Sequence, residues 1–269
     1  MKISFSTLGC PNWTLSEILA AAKDLGYDGI ELRGLGEDIY LPDAKLFSPA
    51  NCGKVNAELA ARGLTIPCIS SDCTLQKADD AVMDQARAYI ELAAHLHAPC
   101  IRVLGDTAPA PAPNVNTDLV TARLKALAPE AAEKGVTLLL ESNGVYSDSR
   151  LLRETLEAVN SPAVAALWDI NHPVRYGHED PAETYANIGQ WVRHVHVKDT
   201  VVDDRGRIAY KMLGYGTLPL KEAFGLLKAN GYTGCISLEW TKRWNRELED
   251  AGIVFSHFIY ALKKMWQSL

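Results

Sequence analysis

Four short segments place polar chemistry where their neighbours suggest burial: LLLES with Glu141, LWDINH with Asp169 and His172, HVHVKD with His194 and His196, and ISLEW with Glu239. Each ends a run rich in Val, Ile and Leu that reads as a buried strand. Each run delivers a carboxylate or an imidazole near its C-terminal end. Buried charge is costly unless it is paired or bound to metal. Three carboxylates and one imidazole, arriving from four strands, make a site for a divalent cation. That oxygen-rich donor set suits Mn²⁺, Mg²⁺, Co²⁺ or Zn²⁺ and leans away from a cysteine-type structural zinc. The competing reading is a set of salt bridges with Arg33, Arg102 or Lys198.

The elements that must position these residues follow from hydrophobic periodicity. Eight strand candidates occur at 3–9, 29–34, 66–72, 100–106, 137–143, 164–170, 192–199 and 235–240. Amphipathic stretches separate them, several opening with Ser, Thr or Asp and closing with Gly, as helix caps require. Two joints echo each other, LGYDGIEL at 25–32 and NGYTGCISLE at 230–239. Eight strand–helix units in 269 residues, with no long linker, predict an α/β chain folded as a single (β/α)8 TIM barrel over residues 1–269. The rival, a doubly wound open sheet for a dinucleotide, lacks a GxGxxG after its first strand. The Pro- and Ala-rich stretch 106–117 reads as a surface loop, and 200–216 as a small hairpin over the catalytic face.

In such barrels the strand C-termini and the loops after them build the active site. His172 and His196 fall on that side, whereas His95 and His97 precede the fourth strand and belong to the opposite end. His194 shares a strand face with His196 and sits one layer deeper, because side chains alternate with period two. It is a ligand, a supporting partner or a polar core residue, and position favours the last two. Trp168 and Trp240, next to inward-facing Asp169 and Glu239, should point outward to the helices. Trp13, after the first strand, falls on the functional side, where it can cover a substrate. Arg33 lies on one strand face with Glu31; it either pairs with that residue or holds a substrate carboxylate or phosphate.

Composition narrows the function classes. A net charge of −6 disfavours a nucleic-acid binder, which carries a basic footprint. The six cysteines are scattered without a CxxC, which points to a reducing compartment and no disulfide framework. The N-terminus lacks the apolar core of a signal peptide, and IVFSHFIYAL is too short to span a bilayer. The expectation is a cytoplasmic protein with no membrane association. Phe255, Phe258, Tyr260 and Trp266 on the last helix offer apolar surface for a homo-oligomer or for packing on the barrel.

The ordered motifs resemble the xylose isomerase-like TIM barrels, a group of sugar isomerases and epimerases, along essentially the whole length. These motifs are GYDGIELRG, the Glu ending the fifth strand, D-x-x-H after the sixth, H-x-H-x-K-D on the seventh and the lone Glu on the eighth. The stretch LGYGTLPLKEAFGLLKANGYTGCISLEW is especially similar. The resemblance implies that Glu141, Asp169, His196 and Glu239 bind one divalent metal ion, with no organic cofactor. It implies that Glu141 and Glu239 flank the reacting carbon of a sugar or polyol as acid and base, and that His172 contacts substrate. The epimerase branch follows its H-x-H with an acidic residue and a substrate-holding Arg. Here Val197-Lys198-Asp199 follows, and Arg207 comes later, in the hairpin-like loop, as the candidate to hold substrate. HVHVKD resembles the branch that includes inosose dehydratases. Lys198 either protonates a leaving hydroxyl or pairs with Asp199 or Glu239. Epimerisation or isomerisation next to a ketone is the first expectation and dehydration the second. A DNA-repair endonuclease of the same fold and a non-catalytic sugar-binding protein are weaker rivals.

Overall fold

The computed structural model describes residues 1–269. Eight parallel strands form the barrel: β1 (Lys2–Ser6), β2 (Gly29–Glu31), β3 (Ile69–Thr74), β4 (Cys100–Leu104), β5 (Thr137–Glu141), β6 (Val164–Asp169), β7 (Val192–Val197) and β10 (Cys235–Leu238). The sheet order is β2-β1-β10-β7-β6-β5-β4-β3. Parallel bridges Gly29↔Thr65 and Leu32↔Ile69 link β2 to the chain entering β3 and close the ring. Two further strands, β8 (Asp199–Val202) and β9 (Ile208–Lys211), form an antiparallel hairpin after β7. The eight expected barrel strands and the expected hairpin are all present.

The differences are local and have physical causes. Strand β1 stops at Ser6, whose hydroxyl accepts a hydrogen bond from the Leu8 amide and turns residues 7–9 into a 3-10 turn. Strand β3 begins at Ile69 rather than 66. Pro67 has no N–H to give to a ladder, so pairing before it is reduced to the single bridge Gly29↔Thr65.

The helices are α1 (Leu15–Leu25), α2 (Pro49–Arg62), α3 (Ala81–His95), α4 (Thr117–Glu133), α5 (Ser149–Val159), α6 (Pro181–Ile188), α7 (Leu220–Ala229) and α8 (Ala251–Gln267). Their ends follow sequence chemistry. Thr14 and Glu17 form a reciprocal capping box on α1, which ends at Gly26 with φ 78°. Asp148 and Asp180 cap α5 and α6 with their carboxylates. None of these helices is long and apolar enough to cross a membrane.

A core of 67 buried residues fills the space between sheet and helices. Trp168 and Trp240 belong to it and point outward as expected: Trp168 lies 5.9 Å from the Tyr185 ring of α6, and Trp240 Nε1 donates to the Glu249 carbonyl. On α8, Phe255 and Phe258 are buried against the barrel, Trp266 packs on Phe224, and Tyr260 stays exposed. A second, smaller cluster of Cys68, Cys100, Leu139, Ala165 and Leu167 plugs the inside of the ring.

Candidate metal and active site

One pleat above that plug, toward the strand C-termini, the barrel interior becomes ionic. Glu141 ends β5, Asp169 ends β6, His196 lies near the end of β7 and Glu239 follows β10. One donor atom from each of the four lies within 4.8 Å of the others. Register explains the convergence. Asp169 pairs with His196 across β6 and β7, and Ser237, two residues before Glu239, pairs with His196 across β10 and β7. Alternation then turns all four side chains inward.

The imidazole of His196 is fixed by a residue that sequence reasoning had placed elsewhere. Its Nε2 donates to Glu31, at 2.9 and 3.0 Å from the two carboxylate oxygens. Its Nδ1 therefore faces the opposite way, 3.7 Å from Glu141 Oε1 and 3.5 Å from Glu239 Oε1. Glu31 is wholly buried and also takes hydrogen bonds from His194 Nε2 at 2.8 Å and the Ser70 hydroxyl at 2.6 Å. The expected Glu31–Arg33 pair does not form, because Glu31 is spent on the two histidines. His194 is thus a partner of Glu31 one layer down. A carboxylate on the far nitrogen of an imidazole orients the ring and makes it a better metal ligand.

Two cations complete the layer. Arg102 on β4 donates through Nη1 to Glu141 Oε2 at 3.0 Å and to Glu239 Oε1 at 3.4 Å, while Nε and Nη2 are anchored on the Ser71 carbonyl. Lys198 Nζ bridges Asp169 Oδ2 and Glu239 Oε2. It does not pair with Asp199, whose carboxylate is taken by the amides of Thr200, Gly214, Gly216 and Leu218. Burial alone would raise the Glu141 carboxyl, but Arg102, with help from His196, holds it well below the usual range. Burial would lower His196, yet Glu31 and Glu239 lift it well above an ordinary histidine. Lys198 is held charged against burial by Asp169 and Glu239.

Whether a divalent cation fits can be judged from atoms and charge. Glu141 Oε1 and His196 Nδ1 are both buried, lie across the same small gap and have no hydrogen-bond partner. Unpartnered buried polar atoms are rare and call for an explanation. Four buried carboxylates, Glu31, Glu141, Asp169 and Glu239, face only two permanent cations, Arg102 and Lys198. A doubly charged ion would balance the remainder, and Glu141 and His196 would be among the residues that hold it. The residues can hold such an ion.

The ionic layer forms the floor of a cavity of about 340 Å³ lined by Arg33, Arg102, Glu141, Asn143, His172, Lys198, Glu239 and other residues. His172 Nδ1 donates to the Ser142 carbonyl at 3.2 Å, so its Nε2 carries a lone pair, 3.8 Å from Asp169 Oδ2. Burial lowers its basicity and favours the neutral ring. Thr107, Ala108 and Pro109, from the Pro-rich loop, supply one wall. Asp106 holds that loop by accepting from the amides of Ala112 and Val145, both at 3.0 Å. Gly144, with φ 60°, lets the next loop approach; a Cβ there would lie 2.2 Å from Asp106 Cβ. Tyr210 of the β8–β9 hairpin and Trp244, from the loop after β10, supply other walls.

Two expected substrate-binding residues stand apart from this cavity. Trp13 packs edge-on against Phe255 at 5.8 Å. The Arg207 side chain is 69% exposed and paired with Asp203 at the hairpin turn. Neither lines the cavity wall. Sequence reasoning missed Glu31 as the partner of His196, the double role of Arg102, and Asn143 and Trp244. Glu31 and Arg102 left a signal, as charged residues inside apolar strand runs; Asn143 and Trp244 left none.

Comparisons with known proteins agree on the fold. Fructoselysine 3-epimerase of Shigella flexneri is 24% identical over 263 residues, covering 92% of each chain. The solved structure of a probable 3-DHS dehydratase, AsbF of Bacillus anthracis, superposes with a TM-score of 0.78 at 18% identity, covering 98% of this chain and 99% of that one. The IOLI protein, solved with a bound zinc atom, superposes with a TM-score of 0.79 at 16% identity, covering 100% and 99%. The family model for the xylose isomerase-like TIM barrel matches residues 19–255, and the chain belongs to that family.

Proposed function

We propose that this protein is a divalent-metal-dependent epimerase or isomerase of a ketose or similar polyhydroxy ketone, acting by proton transfer at the carbon next to the carbonyl. One observation carries the reading: Glu141 Oε1 and His196 Nδ1 meet, buried and unpartnered, with Asp169 and Glu239 beside them at the floor of a sugar-sized cavity. Glu141, Asp169, His196 and Glu239 would hold the cation, which when bound polarises a carbonyl and stabilises negative charge growing next to it.

The remaining chemistry belongs to the chain. Glu141 and Glu239 enter from β5 and β10, which are separated in the sheet by β6 and β7. They can therefore address a substrate carbon from different sides. One carboxylate removes the proton from the C–H bond and the other returns a proton to the opposite face, so the carbon inverts and no electrons leave the substrate. Each such group is worth about 10²–10⁴ in rate. Arg102 touches both carboxylates and keeps them aimed. His172, neutral and fixed by Ser142, offers Nε2 to a substrate hydroxyl.

A second reading is favoured by Lys198. Its ammonium lines the cavity and is held between Asp169 and Glu239, where it can protonate a departing hydroxyl. With one carboxylate taking the proton from the carbon next to the carbonyl, that C–H electron pair would form the new double bond as water leaves, which would make the reaction a dehydration. Both readings are tested by incubating Mn²⁺-supplemented protein with a panel of ketoses and inososes in D₂O. Proton transfer predicts loss of one C–H resonance and growth of an epimer or isomer, abolished in Glu141→Gln. Dehydration predicts a conjugated ketone absorbance and loss of water instead. No isotope exchange and no product across the panel would contradict both.

A further inference from the structure

Three cationic side chains line the cavity, and two are paired with carboxylates. Arg102 spends its guanidinium on Ser71, Glu141 and Glu239, and Lys198 spends its ammonium on Asp169 and Glu239. Arg33 is different. It is only 7% exposed, its Nη1 is buried without a hydrogen-bond partner, and no carboxylate lies within the 4.0 Å of an ion pair. Its backbone is pinned, because its amide donates to Thr7 Oγ1 at 2.8 Å and that hydroxyl donates to the Gly34 carbonyl at 2.6 Å. The Trp244 ring lies 5.9 Å from the guanidinium carbon and covers one face of it. Arg33 lines the cavity, and its guanidinium spends no hydrogen bond on the chain.

We infer that the substrate carries a carboxylate and that Arg33 receives it, which makes the substrate a keto-sugar acid rather than a neutral ketose. This inference rests on the proposed sugar chemistry of the site and narrows it. A buried guanidinium without a counter-ion is costly, and a ligand anion supplies what the chain does not. The planar fork matches a carboxylate through two parallel hydrogen bonds. Phosphate fits less well. A dianion needs more than one unspent cation, and four carboxylates already crowd the floor of the cavity. Asp72 attracts Arg33 only from beyond ion-pairing distance, and Arg102 repels it. Asn143 Oδ1, also buried and unpartnered, and the Thr241–Asn245 pair at the rim are suited to the hydroxyls between the two ends of such a molecule.

The test compares ligands that differ in one group. Calorimetric titration of the Mn²⁺-supplemented protein with D-fructuronate, D-fructose and D-fructose 6-phosphate isolates the terminal carboxylate. The uronate is expected to bind about 10- to 100-fold more tightly than the ketose, the worth of a charge-assisted pair. The phosphate ester is expected to bind no better than the ketose. Arg33→Gln should erase the uronate preference, bringing the uronate-to-ketose affinity ratio to about one, and Arg33→Lys should restore part of it. Equal affinities for uronate and ketose in the wild-type protein, binding of neither, or a preference for the phosphate ester would overturn the inference. The wild-type ratio decides the matter even if the variants fold poorly. A uronate preference without solvent exchange would support the role of Arg33 while removing the proton-transfer reading.

Discussion

Two layers inside the barrel, one pleat apart, have opposite character. The lower is a plug of Cys68, Cys100, Leu139, Ala165 and Leu167. Two residues further along the same strands, Cys100 gives way to Arg102, Leu139 to Glu141 and Leu167 to Asp169. The lower layer gains from dispersion and from removal of apolar area from water. The upper layer removes charges from water, at a cost of several kcal/mol for each. It persists because its charges face one another: Arg102 touches Glu141 and Glu239, Lys198 bridges Asp169 and Glu239, and Glu31 takes both histidines. The contrast teaches which residues the molecule keeps for stability and which it keeps in spite of it.

Four experiments break or sharpen that contrast. The largest effect is expected from Glu141→Gln, which preserves shape and removes a base. Turnover should fall by about 10²–10⁴ with the fold retained, as read from isotope exchange and circular dichroism. Leu139→Ala, two residues away in the plug, should do the reverse. Urea unfolding should report a loss of about 2–5 kcal/mol, with turnover per folded molecule nearly unchanged. If both variants lost activity and stability together, the two layers would not be separable.

Glu31→Gln probes the link between them. It keeps a hydrogen-bond acceptor for His196 but removes the charge, and metal affinity should weaken about 10- to 100-fold. A metal affinity equal to wild type would show that Glu31 serves only the fold. The smallest effect concerns pH. In the metal-free protein the raised basicity of His196 places a proton on Nδ1 beside Glu141 and Glu239. The stability this proton contributes is full below the ordinary histidine range and is lost as pH rises through the raised value. A cation must displace that proton, so affinity should rise with pH and binding should release a proton to the buffer. Calorimetry in buffers of different ionisation enthalpy measures that release directly. Proton-neutral binding would contradict the protonation assigned to His196.

The strands and the four converging donors were legible because a carboxylate or imidazole inside an apolar run stands out from its neighbours. Strand ends were less so, since they depend on single donors such as the N–H that Pro67 lacks. Glu31 was read toward Arg33, two residues along the same strand. Its true partners, His194 and His196, are 163 and 165 residues away in sequence, and only closure of the ring brings them together. Trp13 and Arg207 illustrate the opposite error. Lying after a strand places a residue at the correct end of the barrel but does not aim it. The ring of Trp13 turns to Phe255, and Arg207 is drawn to Asp203 at the tip of the hairpin. Trp244 belongs to the loop after β10, where no periodic pattern exists to reveal its direction.

The central claim is a single cation held by Glu141, Asp169, His196 and Glu239, and metal content per chain tests it most directly. Purified protein is measured by elemental analysis before and after equilibration with Mn²⁺, Co²⁺ or Zn²⁺, beside Glu239→Gln and His196→Ala. One divalent ion per wild-type chain, with a clear reduction in both variants, is the predicted result. No ion retained or acquired by the wild-type protein, or undiminished loading in both variants, would contradict it.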